Sequence, residues 1–312
     1  MFFEGSEKKF ELISRAAGFR QRPPEFVQKL VELAGAKILS KISSGQVDAY
    51  LLSESSLFVS DDSLTMLTCG RTTLARSAEF AVREVGPDNV DFLSYERKNE
   101  YFPHRQETDF YNDVKQLEAC LPGQSFRFGY SDEHHLLLFH LDKPYKSPGL
   151  DCTLEILMYN LQGPARAIFD GGQTLERVRE LTKLDQIFPG FTIDDHLFQP
   201  CGYSLNAVRG AEYYTLHVTP EETASYVSFE TNMKLGNRIT TALRSVVGVF
   251  DPRSFDVICF HSDRGLPAFE VAPFTRSNFV CQTLSCGFEV GFATYFSLSA
   301  QPRPAISLVE VL

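Results

Sequence analysis

Tyr50-Leu-Leu-Ser-Glu-Ser-Ser-Leu-Phe-Val59 is a strand-like run with three polar residues, Glu54, Ser55 and Ser56, set in its middle. Apolar stretches on either side of a short polar interruption predict a hairpin. The same three residues form a small nucleophilic cluster. A serine hydroxyl attacks the carbonyl before it only where the backbone is held strained and the oxyanion is stabilised. Sequence displays neither condition, so an ordinary hairpin and a self-cleaving one both stand at this point.

Further strands flank this run. Ile38 to Ile42 and Val47 to Ser53 pair around Ser43-Ser44-Gly45, and Leu57 to Ser60 pairs with Leu64 to Thr68 around Asp61-Asp62. A helix from Thr72 to Val85 follows, then a strand near Val90 to Tyr95. Upstream, Pro23-Pro24 opens a helix with Phe26, Leu30 and Leu33 on one stripe, closed by Gly35. A first helix is expected after Ser6, carrying Phe10, Ile13 and Ala17. The second half repeats the order. Tyr213 to Thr219 and Ser225 to Glu230 read as strands, a helix carries Ile239, Leu243, Val246 and Val247, and a strand runs from Phe255 to Phe260. About 165 residues separate the copies, which predicts an internal duplication. Between them lie a helix near Asp109 to Ala119 and strands at Phe126 to Tyr130, His135 to Leu141 and Thr153 to Tyr159. Strands outnumber helices and several alternate polar with apolar residues, so the chain reads as α+β, with sheets covered by helices.

A chain of 312 residues can bury a large core, and 43% hydrophobic with 22% charged residues is ordinary for a folded protein. A net charge of -10 without a basic run argues against non-specific binding to nucleic acid or anionic membrane. No apolar stretch reaches the roughly 18 residues of a spanning helix. The start, Met-Phe-Phe-Glu-Gly-Ser-Glu, lacks the basic and apolar regions of a signal peptide. Seven widely spaced cysteines without a CxxC pair suit reduced thiols in the cytoplasm and give no metal signature. Neither GxGxxG nor GxxxxGK occurs, so dinucleotide and P-loop readings lack support.

Three more groups carry chemistry. Thr68-Cys69-Gly70 stands at a strand end ahead of a helix, where the thiol serves as a proton donor or nucleophile, or as a small buried residue beside a glycine turn. Phe198-Gln-Pro-Cys-Gly-Tyr-Ser204-Leu-Asn206 reads as a structured loop. In His217-Val-Thr-Pro-Glu221, Pro220 opposes the helix that a metal motif needs, and a strand-end histidine acting as base or orienter fits better.

Together these groups resemble the eukaryotic-type S-adenosylmethionine decarboxylases, which are pyruvoyl enzymes. The resemblance runs through Phe2-Phe-Glu-Gly-Ser-Glu7, Leu52-Ser-Glu-Ser-Ser56 with Phe58-Val-Ser60, and Thr68-Cys-Gly70. It continues through Tyr101-Phe-Pro-His-Arg105, Thr153-Leu-Glu-Ile-Leu-Met158, Pro200-Cys-Gly-Tyr-Ser204, His217-Val-Thr-Pro-Glu221 and Ser225-Tyr-Val-Ser-Phe-Glu-Thr-Asn232. It implies a single domain over 1–312, a four-layer αββα sandwich with two central, mainly antiparallel sheets, internally duplicated. Self-cleavage between Glu54 and Ser55 is implied, giving a β chain of 1–54 and an α chain of 55–312. Ser55 then becomes the pyruvoyl cofactor, which forms a Schiff base with S-adenosylmethionine and supports loss of CO2 on the route to spermidine and spermine.

Residue roles follow from the same resemblance. Ser204 and His217 match the processing serine and histidine, and Cys69 matches the proton donor. Phe3 and Phe198 match the phenylalanines that clamp the adenine, and Glu221 the carboxylate that holds the ribose hydroxyls. Leu52 and Glu54 line the site, and Glu7 is a further acidic member. Animal-type relatives also bind putrescine at a buried acidic site, and Glu11, Asp151, Thr153, Glu155 and Glu230 match its members. Leu67 stands where a lysine is expected, and Ser94 and Glu96 replace an aromatic residue and a serine. By that comparison the region is two charge units more acidic, and a diamine-sensitive enzyme of altered affinity, or a site filled by another cation, is expected. Dimerisation is an animal-type trait. A non-processing partner of a catalytic paralogue and a pyruvoyl decarboxylase for another amino acid are the other readings of the same resemblance.

Overall fold

A computed structural model describes residues 7–16, 18–147, 151–162, 165–169, 172–220, 225–262 and 269–298. The first sheet runs, edge to edge, β2 (Ile38–Ser43), β3 (Asp48–Leu52), β4 (Ser55–Val59), β5 (Ser63–Thr68), β1 (Glu7–Ile13), β6 (Phe92–Lys98), β8 (Leu136–Leu141) and β7 (Gly123–Phe128). The second runs β10 (Thr192–Leu197), β11 (Tyr203–Arg209), β12 (Glu212–Thr219), β13 (Tyr226–Thr231), β9 (Cys152–Leu161), β14 (Pro252–His261), β16 (Glu289–Ser297) and β15 (Phe274–Thr283). Every neighbouring pair is antiparallel. Adding eight to each strand number of the first sheet reproduces the second, so the duplication is topologically complete.

Period-2 alternation sorts the side chains into layers. Outward residues such as Phe10, Leu12, Leu57, Met66 and Leu93 meet the buried stripes of α1 (Pro24–Leu33), α2 (Leu74–Val85) and α3 (Phe110–Glu118). On the other side α4 (Leu175–Thr182), α5 (Leu184–Ile187) and α6 (Ile239–Phe250) cover the second sheet through Val178, Leu184, Leu243 and Val246. Inward residues of both sheets pack face to face, with Ile13, Phe92 and Leu138 against Leu157, Ile258 and Phe292. Phe58 stacks on Tyr213 at 4.0 Å across the same gap. The result is the four-layer αββα sandwich.

The expected first helix is instead the strand β1, in the middle of its sheet. Phe10 and Leu12 point outward to the helices, while Glu7, Lys9, Glu11 and Ile13 point inward. Of its charged residues, Glu7 and Lys9 are buried in ion pairs between the sheets, while Lys8 is buried on the opposite face. Ala17, assigned to the same helix, lies outside the described residues. The loop expected over Phe198 to Asn206 is shorter than that, because β11 begins at Tyr203.

Candidate active site

Leu52 pairs with Ser55 in register, so Ser53 and Glu54 form the two-residue turn of the β3–β4 hairpin. Ser55 follows that turn with φ +153°, backbone space that L-residues avoid, at a cost of roughly 1–3 kcal/mol. Strain therefore sits at Ser55, directly after the Glu54–Ser55 peptide. The Ser55 side chain is buried, and its Oγ has no hydrogen-bond partner among the described residues. One strand over, Cys69 follows β5 and donates its backbone N–H to the Glu54 carbonyl at 2.8 Å. That carbonyl is thus polarised by a fixed donor beside an unengaged hydroxyl.

The second sheet supplies a buried histidine. Ser204 on β11 is in register with His217 on β12, and its Oγ lies 2.9 Å from His217 Nδ1. His217 Nε2 lies 3.1 Å from Ser56 Oγ and 3.0 Å from Thr215 Oγ1, and Ser56 also donates to Asn206 Oδ1 at 2.6 Å. Ser56 therefore ties the hairpin to the opposite sheet. Burial pulls the imidazole down to about 4, so at neutral pH it is uncharged and able to accept a proton. Cys69 Sγ donates to Glu7 Oε2 at 3.7 Å, and burial, with the Glu7 carboxylate, holds the thiol well above its ordinary range. The group is a thiol, suited to give a proton.

A family model described as adenosylmethionine decarboxylase matches residues 1–290. The chain belongs to that family. Its relatives include the S-adenosylmethionine decarboxylase proenzyme of Trypanosoma cruzi, 35% identical over 281 residues that span 83% of this chain and 75% of the relative. The proenzyme of Xenopus laevis is 36% identical over 279 residues, 83% of either chain. Among solved structures, the Trypanosoma brucei AdoMetDC-delta26 monomer matches with a TM-score of 0.61 and 26% identity, over 78% of this chain and 99% of that one.

With the family in view, the remaining site residues fall into three groups. Leu52, the last residue of β3, is fully buried, whereas Glu54 is exposed at the turn, its carboxyl raised by partial desolvation against the opposing pull of Lys8. Phe198 is half-buried next to the cis Gln199–Pro200 bond, with its ring edge-on to His196 at 4.6 Å. Gly202 follows at φ +118°, where a Cβ would stand 3.6 Å from Phe198 Cβ. Phe3 and Glu221 lie outside the described residues.

The acidic residues matched to a diamine site divide between two places. Glu11, Asp151 and Thr153 line a cavity of about 170 Å³ between the sheets, along with Thr65 and Tyr213. Glu155 and Glu230 instead grip Lys9, at 2.8 and 3.2 Å, and Glu96 stands 3.9 Å from the same ammonium. Lys98 continues the chain of charge by bridging Glu155 to Glu7, the latter at 2.8 Å. Burial alone would discharge Lys9, but the carboxylates outweigh it and keep the ammonium. Lys9 thus offsets one of the negative charges gathered in this cluster. Lys9 lies opposite both Leu67 and Glu96 in register, and its ammonium enters the cluster where Leu67 cannot. Burial raises Glu11 and Glu96 to about 8.

Sequence reasoning found the hairpin, Cys69, Ser204 and His217, but passed over Thr215, Lys8, Lys9 and Lys98. Alternation along β12 would have placed Thr215 beside His217. The lysines carry no such signal, because a buried lysine and a solvated one look alike in sequence.

Proposed function

We propose that the chain is a self-processing, pyruvoyl-dependent S-adenosylmethionine decarboxylase, cleaved between Glu54 and Ser55 into chains 1–54 and 55–312. The observation that carries this reading is the buried, unengaged Ser55 Oγ on a strained residue, directly after a Glu54 carbonyl already held by Cys69 N–H. Ser55 Oγ attacks the Glu54 carbonyl carbon, and the oxyanion develops where the Cys69 amide points. The Oγ proton passes to the Ser55 nitrogen as the C–N bond breaks, leaving an ester. An ester is a better leaving group than an amide, which makes the next step feasible. Neutral His217 takes the Ser55 α-proton, the Cβ–Oγ bond breaks, and Glu54 departs as a carboxylate. The resulting dehydroalanine takes up water and releases ammonia, leaving a pyruvoyl group.

That pyruvoyl group supplies an electrophilic carbonyl for the substrate amine and a sink for the electron pair freed by loss of CO2. Around it the chain's own groups divide the work. Cys69, kept as a thiol by burial and Glu7, delivers the proton to the substrate carbon. Phe198, together with Phe3, suits an adenine ring and the adjacent sulfonium through stacking and cation–π attraction. Glu221 would accept the ribose hydroxyls, and Leu52, Glu54 and Glu7 complete the lining.

The acidic cavity beside Glu11 and Asp151 suits a small dication such as putrescine. Since Lys9 already neutralises part of the cluster, the diamine's effect is expected to be smaller than where that cation is absent. A putrescine titration of activity at fixed ionic strength tests this, and a flat response refutes diamine binding. The seven cysteines are unpaired, with Cys152 and Cys259 4.0 Å apart, which agrees with a reducing, cytoplasmic setting. Among the described residues no helix is long and apolar enough to cross a membrane. Incubating purified wild-type chain and following borohydride-sensitive carbonyl at residue 55 tests the whole reading. Accumulation of that carbonyl in step with cleavage supports it, and cleavage without it does not.

A further inference from the structure

Lys8 is fully buried, yet its ammonium contacts only neutral oxygens. Nζ donates to the Gly70 carbonyl at 2.7 Å, to Gln106 Oε1 at 2.7 Å and to Thr72 Oγ1 at 3.2 Å. Among the described residues it makes no ion pair, whereas Lys9, Lys98 and Arg97, which are buried as deeply, each hold carboxylates. A buried cation without an anion is costly, and burial followed by repulsion from Arg97 drags Lys8 down to about 7. Among the described residues no carboxylate touches this ammonium, and Asp113 and Glu100 act on it only from a distance.

The surroundings of Lys8 indicate what would require it. Its Gly70 contact belongs to the Cys69-Gly70 turn, and Cys69 N–H in turn holds the Glu54 carbonyl. Glu54 Oε2 lies 3.8 Å from where a Gly70 Cβ would stand, and Lys8 is the charge that acts on the Glu54 carboxyl. In the intact chain that carbonyl belongs to a neutral amide. When the ester of Ser55 eliminates, the Cβ–Oγ bond breaks and both electrons leave on the oxygen. The Ser55 α-proton goes to His217, and a full negative charge appears on the Glu54 α-carboxylate. The acids that act on Lys8, Asp113 and Glu100, are already paired with Arg97, and Glu7 is paired with Lys98. We propose that Lys8 is the counter-ion held in readiness for the carboxylate that self-cleavage creates on Glu54. The inference rests on the Glu54–Ser55 cleavage reading. It assigns Lys8 to the elimination step and to the stability of the cleaved protein, and leaves ester formation to Ser55 and Cys69 N–H.

The full-length chain carrying Lys8→Met or Lys8→Arg tests this, with hydroxylamine used to trap the ester and mass spectrometry to follow the products. The wild type is expected to show little ester. Lys8→Met is expected to accumulate it, with elimination slowed at least about 10-fold, the scale on which a nearby opposite charge acts. Lys8→Arg is expected to restore the rate and to hold it level from pH 6 to 9, where the wild-type rate falls above about 7 as Lys8 discharges. Thermal melts separate this from a packing role: Lys8→Met should destabilise the cleaved protein more than the uncleavable Ser55→Ala protein. Equal losses in both backgrounds, or wild-type elimination without trapped ester in Lys8→Met, overturn the assignment of Lys8 alone. A wild-type chain that is never cleaved at 54–55 overturns the cleavage reading and this inference with it.

Discussion

At residue 55 a serine occupies backbone space that suits glycine, with its hydroxyl buried and unengaged. Ser55→Ala is therefore expected to stay full length, since the attacking oxygen is gone while the fold keeps its hairpin. Cys69→Ala retains the backbone N–H that holds the Glu54 carbonyl, so it should still be cleaved, but with turnover reduced by 10² or more for want of a proton donor. Unchanged steady-state kinetics would remove Cys69 from the reaction. For His217 the sign of the pH effect is fixed by its depressed imidazole. The unfolded chain takes up a proton near pH 6.5 and the folded chain only near 4, so stability is fully present above 6.5 and is lost as pH falls through that window. The loss amounts to on the order of 3 kcal/mol, and His217→Gln should flatten that limb in denaturant titrations at pH 4–7. Ser55, Cys69, Ser204 and His217 were legible because their neighbours form distinctive blocks. The strain at Ser55 and the Cys69 amide contact were not, because backbone geometry leaves no trace in residue type.

Strand β1 shows where sequence reading fails at the level of the element. Its Glu-Lys-Lys-Phe-Glu-Leu-Ile pattern fits either an amphipathic helix or a central strand with one ionic face. Only the second sheet, by covering that face with Glu155 and Glu230, decides the matter. The helices α1, α2, α3 and α6 were legible, since each has a solvent side and a conventional apolar stripe. Removing the Lys9 ammonium tests the ionic face directly. Lys9→Leu takes the ammonium away from Glu230 and Glu96 and leaves Glu155 to Lys98 alone, and should cost about 3–5 kcal/mol. Added putrescine should return part of that loss, visible as a larger rise in Tm than the wild type gives, while equal rises would place the diamine elsewhere. Glu11 and Glu96, raised to about 8, contribute stability that is complete below the unfolded carboxyl range and is lost as pH rises through 8. Diamine binding should accordingly strengthen from pH 6 to 9 and release protons, as calorimetry in buffers of different ionisation enthalpy would read.

Across the molecule, the duplication explains why the proposed site draws on both halves. Glu7, Ser55 and Cys69 come from the first sheet, and Ser204, Thr215 and His217 from the second, so the chemistry depends on how the two sheets are spaced. Phe58 and Tyr213 hold that spacing by stacking across the gap. Phe58→Ala should therefore cost about 3–5 kcal/mol and also slow self-cleavage, although neither ring touches Ser55. The doubled order of hairpin, helix and strand was visible in sequence, but the edge strands β10 and β15 were not. Their residues are half in solvent and lack a clean alternation. On the reading proposed above, the chain cleaves itself at Glu54–Ser55, beside the strained Ser55 backbone, to make its own cofactor. Intact mass spectrometry of the purified wild-type chain tests it most directly. We predict one product ending at Glu54 and one covering 55–312 with a pyruvoyl group in place of Ser55. A mass that remains at full length after prolonged incubation would contradict it.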